Sequence, residues 1–67
     1  MAVILPVKGV YPQLGENCFV APNATIVGDV QMGSDCSVWF NAVVRGDVNS
    51  IRIGNKVNLQ DRAFIHC

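Results

Sequence analysis

The one imidazole in this 67-residue chain is His66, and it is the first candidate for metal binding or proton transfer near neutral pH. A lone surface histidine is most often solvated and inert, so its neighbours decide what it means. Two amides, Asn58 and Gln60, precede it in the chain. Arg45, Asp47 and Asp61 supply charges. As exposed ion pairs these would contribute at most about 1 kcal/mol. Three cysteines, an odd number without a Cys-x-x-Cys pair, argue against a disulfide framework or a structural zinc knot. Cys18 and Cys36 read as reduced packing residues.

The elements that must carry these side chains are set by a six-residue beat. Aliphatic residues fall at Leu14, Val20, Ile26, Met32, Val38 and Val44, then at Ile53, Leu59 and Ile65. Four positions after each beat comes a small or β-branched residue, expected to pack inward near the next corner where a larger one would clash: Cys18, Ala24, Val30, Cys36, Ala42, Val48, Val57 and Ala63. Three positions after each of the first six beats comes Asn17, Asn23, Asp29, Asp35, Asn41 or Asp47. A period of six drifts around a helix but suits a short strand followed by a corner. The aliphatic residue points inward, its successor points outward, and Asn, Asp or Gly turns the chain. Three such sides close a triangular coil of about eighteen residues, and coils stack at about 4.8 Å. The expected architecture is an all-β parallel β-helix of about three coils. The beat does not settle its handedness.

Residues 1–13 lack the beat and are expected to form an extended cap over the first coil. The coils then occupy 14–67, as a single domain. Between Val44 and Ile53 the step is nine instead of six, so a loop is expected near 45–52. Outward positions after the beat include Arg45, Gln60 and His66, which places all three in one outward column. Trp39 and Phe40 are expected to cover the N-terminal segment or to sit against another chain. The chain reaches Cys67 part-way along a rung with no capping element, so it reads as the N-terminal part of a longer protein.

Composition narrows the function classes. The chain is 51% hydrophobic with a formal net charge of zero, and its five basic residues are scattered without an aromatic platform. No nucleic-acid partner is expected. The apolar run Met1–Leu5 is broken by Pro6 and is too short for a signal peptide or a membrane span. A soluble cytoplasmic protein with no membrane partner is the expectation.

The run Asn41-Ala42-Val43-Val44-Arg45-Gly46-Asp47, then Ser50-Ile51-Arg52-Ile53-Gly54, Asn58-Leu59-Gln60-Asp61 and Ile65-His66, resembles the γ-class carbonic anhydrases of the hexapeptide-repeat group. The resemblance covers Leu14 to Cys67 and implies a left-handed β-helix, assembled as a homotrimer with a metal between neighbouring subunits. The ion would be Zn2+, or another divalent transition metal such as Fe2+ or Co2+. His66 corresponds to the first metal-binding histidine. The other two, spaced five apart, would lie on the following coil, beyond Cys67. Gln60 matches a residue near the metal-bound solvent and Asn58 a supporting polar residue. Arg45, Asp47 and Asp61 match charges that tie subunits together. The implied reaction is reversible hydration of carbon dioxide to bicarbonate, driven by a water whose pKa the cation lowers to about 7. One departure is Val48, which stands where some members carry an acidic proton-shuttling residue. Two alternatives remain open at this stage: an acyl-coenzyme A-dependent hexapeptide acyltransferase, and a non-catalytic β-helix scaffold.

Overall fold

A computed structural model describes residues 2–66. The expectation that the coil is cut open at Cys67 falls outside them. Eight strands follow in chain order: β1 (Val3–Leu5), β2 (Gln13–Leu14), β3 (Phe19–Val20), β4 (Thr25–Met32), β5 (Ser37–Val38), β6 (Val43–Ile53), β7 (Asn58–Leu59) and β8 (Phe64–His66). All strand pairings are parallel. β4 and β6 are long because each bends round a corner and serves two sides of the coil. Side one stacks Val3–Leu5, Thr25–Val27, Val43–Arg45 and Phe64–His66. Side two stacks Gln13–Leu14, Gln31–Met32 and Arg52–Ile53. Side three is a separate sheet of β3, β5 and β7. The result is a parallel β-solenoid of about three turns.

The beat residues form the inward columns. On side one Ile26, Val44 and Ile65 stack in register, on side three Val20, Val38 and Leu59, and on side two Leu14, Met32 and Ile53. Ile26 and Val44 have no exposed surface and Val38 has 1%. Ala24 and Ala42 fill the tight corner positions and are also fully buried, as the small-residue column requires. Backbone hydrogen bonds run from coil to coil throughout, such as Ala21 N to Val38 O at 2.8 Å and Trp39 N to Leu59 O at 2.8 Å.

The corners explain the Asn/Asp column in part. Asn17, Asp35 and Asn41 adopt left-handed backbone, with φ of 58°, 60° and 61°. Lys56 and Arg62 do so too, although neither side chain favours it. Stacking on the coil above imposes the corner geometry there. Asn23 and Asn41 reinforce one corner, with Asn23 Nδ2 donating to Asn41 Oδ1 at 2.8 Å and Asn41 N to Asn23 Oδ1 at 2.9 Å.

One inward assignment is corrected. Val48, expected in the inward column, is 75% exposed, and Ile51 pairs with Val30 in its place at 8% exposure. Gly28 pairs with Gly46 and Val30 with Ile51, so Asp47–Ser50 stands opposite the single residue Asp29. The three additional residues leave the stack as a bulge and carry Val48 outward. At the N-terminus, β1 lies along Thr25–Val27, and a turn held by reciprocal Val7–Val10 backbone bonds leads towards β2.

Candidate functional site

Arg45 and His66 are cross-strand neighbours on the outer face of side one, because Val44 and Ile65 beside them point inward. Gly46 follows Arg45 and runs so close to the coil above that a Cβ there would lie 2.7 Å from the Asp29 carbonyl oxygen. The chain then turns, and Asp47 reaches back over the face. Its Oδ2 accepts from Arg45 Nη2 at 2.7 Å, and its Oδ1 lies 3.2 Å from His66 Nε2. One carboxylate therefore joins a guanidinium to an imidazole. The Arg45 hydrogen bond holds the Asp47 carboxyl below the usual carboxylate range; partial burial opposes this, while Arg45's charge and His66 add to the lowering. The three side chains are 42%, 26% and 40% exposed, so the cluster is wet in a single chain and could lose its water only against another surface.

Gln60 is placed differently from the sequence expectation. It occupies the same position of its repeat as Arg45 and His66 but follows β7, on side three. Each hexad advances one side of the triangle, so equal repeat positions eighteen residues apart share a face and neighbouring hexads do not. Gln60 stacks below Trp39, and Asn58 lies two residues away on the same outer face, with Leu59 between them pointing inward. Asp61 sits at the corner between sides three and one. There its Oδ1 accepts the Phe40 backbone N–H at 3.3 Å.

Trp39 packs against Phe19, with ring centroids 4.9 Å apart, and lies 6.4 Å from Phe40. Phe19, Trp39 and Phe40 thus form an aromatic cluster on the outer wall of the coils. Two features escaped the sequence reading. Arg52 Nη1 bonds Asp29 Oδ1 at 3.0 Å across neighbouring coils, a pairing that becomes visible only once the three-residue bulge sets the register. The turn around Lys8 and the loop Asp47–Ser50 border a cavity of about 300 Å³ beside the charged cluster. Cys18 and Cys36 are free thiols that donate to backbone carbonyls of Gly33 and Gly54, at 3.2 and 3.1 Å.

As a metal site the cluster fits in kind but not in number. An imidazole held by a carboxylate is the arrangement found around metal-binding histidines. Among the described residues, however, no group of three His, Cys, Asp or Glu side chains could hold an ion. Further ligands would have to come from outside these residues.

Three-sided parallel coils with an inward aliphatic beat every six residues define a hexapeptide-repeat protein. Residues 11–46 match the family model described as bacterial transferase hexapeptide (six repeats), and the chain belongs to that family. It is similar to a carbonic anhydrase of Geobacillus kaustophilus, 48% identical over 64 residues, which are 96% of this chain and 35% of that protein. It is also similar to the mitochondrial gamma carbonic anhydrase 2 of Arabidopsis thaliana, 46% identical over 55 residues, which are 82% of this chain and 20% of the relative. A crystal structure of a Bacillus cereus protein described as a candidate acetyltransferase superposes with a TM-score of 0.86 at 38% identity, covering 96% of this chain and 43% of that one. The chain thus spans about a third or less of the curated relatives named here.

Proposed function

We propose that this chain forms part of a trimeric, metal-dependent, γ-carbonic-anhydrase-like enzyme that hydrates carbon dioxide reversibly in the cytoplasm. The observation that carries the reading is the Arg45–Asp47–His66 cluster on one outer face, with Asn58 and Gln60 on the adjacent face. In the homotrimer that the resemblance implies, side one of one copy faces side three of its neighbour, so that His66 of one copy meets Asn58 and Gln60 of the next.

Within this arrangement each residue has a defined task. Asp47, ionised, draws the proton of the His66 ring to the nitrogen facing it and leaves the lone pair on the other nitrogen for a metal. Arg45 keeps Asp47 ionised and fixes its orientation. The amides of Asn58 and Gln60 can donate hydrogen bonds to an oxygen of the substrate. Asp61, through its corner position, helps join the subunits. Bound zinc, or iron(II) or cobalt(II) in its place, would supply the Lewis acidity that activates water for attack on carbon. Val48 offers no carboxylate for proton export, so buffer or other surface groups would take the proton.

The test is metal analysis and mass measurement of the purified full-length protein, together with carbon dioxide hydration assays. A trimer with stoichiometric metal that is lost in His66→Ala supports the reading. A trimer without metal would overturn it. The likeness to a candidate acetyltransferase favours one further reading, acyl transfer from an acyl-coenzyme A donor. Acetyl transfer with no hydration activity would select it.

A further inference from the structure

Phe19, Ser37 and Asn58 stack in register on the outer face of side three, and Trp39 lies two residues beyond Ser37 on that same face. Trp39 Nε1 donates to Ser37 Oγ at 3.0 Å. An indole N–H can only donate, so Ser37 must accept there, and its hydroxyl proton is free for a second partner. That partner is Asn58 Oδ1, which is in hydrogen-bond contact with Ser37 Oγ. The Asn58 carbonyl is thereby occupied, and its NH2 group is the end presented to the open face. Asn58 is itself exposed, whereas Ser37 is half-buried between the coils. Phe19 restrains the indole from the coil above. A reversed Asn58 amide would leave the Ser37 hydroxyl proton without its acceptor, so the relay selects one orientation.

We propose that Ser37 and Trp39 are positioning residues that hold Asn58 with its amine outward, making side three a hydrogen-bond donor for a small oxyanion such as bicarbonate. The identity of the ligand rests on the carbonic-anhydrase reading above; the relay itself does not.

Nuclear magnetic resonance of the full-length protein tests the two separately. Asn58→Ala is expected to shift the Trp39 indole N–H resonance, and Ser37→Ala to shift that resonance and the Asn58 side-chain NH2 pair. Ser37→Thr, which keeps the hydroxyl, should restore both. Bicarbonate should perturb the Asn58 NH2 signals saturably in the wild type, and Ser37→Ala should weaken that binding by about tenfold. In hydration assays Ser37→Ala should lower kcat/KM in the wild-type background and add nothing in the Asn58→Ala background. A Trp39 indole signal indifferent to both Ser37→Ala and Asn58→Ala would overturn the relay. An intact relay with unchanged bicarbonate affinity in Ser37→Ala would overturn its positioning role. Loss of metal and hydration activity from the wild type would count against the enzyme reading alone, because the resonance shifts are read without turnover.

Discussion

Ile51 and Val48 give the sharpest test of how this chain is threaded. Continuing the six-residue beat through the loop would bury Val48, whereas the structure buries Ile51 against Val30 and leaves Val48 75% exposed. Ile51→Ala removes three carbons from a position that is 8% exposed. At about 0.8 kcal/mol per buried carbon the transfer loss is about 2.4 kcal/mol, and incomplete collapse of the resulting cavity adds to it. Because Ile51 is less enclosed than Ile26 or Val44, the cavity contribution is small and the expected total is about 2.5–3 kcal/mol. Val48→Ala removes carbons already in water and should stay within about 0.5 kcal/mol of the wild type. Urea unfolding of the full-length protein, followed by circular dichroism at fixed protein concentration, reads the difference. With a slope of about 2 kcal/mol per molar urea, the two variants should separate by about 1 M in midpoint. Equal losses in the two variants, or a larger loss in Val48→Ala, would refute the bulge at Asp47–Ser50 and the register that follows from it.

Further outcomes follow from the corners and the charged cluster. Asn41 has a φ of 61° and anchors the Asn23 ladder, so Asn41→Ala should cost about 1–2 kcal/mol from backbone strain plus the ladder contribution, and Asn41→Gly should recover the strain part in the same unfolding assay. The folded-state pKa of Asp47 is lowered, so its contribution to stability is fully present above the unfolded value of about 3.9 and is lost as pH falls through the folded value. Thermal melts of wild type and Asp47→Asn across the acid range should therefore converge as pH drops below about 4, and a gap that stays constant would remove Arg45 as the cause of the shift.

Much of the fold was legible in one dimension because each side of a coil is a local device. An aliphatic residue every six positions, a small residue at each corner and Asn17, Asp35 or Asn41 in left-handed backbone are properties of short stretches. What failed was anything that depends on how the coils are phased. The loop interrupts the count, and only backbone pairing across β4 and β6 decides which of Val48 and Ile51 returns to the core. Lys56 and Arg62 take corner conformations that their own side chains do not request, because the coil above dictates them.

The candidate site divides along the same line. The order and spacing of the motif segments, through their resemblance to the γ-class carbonic anhydrases, brought Arg45, Asp47, Asn58, Gln60, Asp61 and His66 forward as a set, since the segments keep their spacing whatever the packing. Their arrangement in space belongs to the tertiary structure. It brings Arg45 and His66 side by side with Asp47 across them, turns Gln60 to another face and ties Asn58 to Ser37. The physical reason is that a coil converts sequence distance into direction: eighteen residues, or twenty-one with the bulge, return to the same face, and six do not.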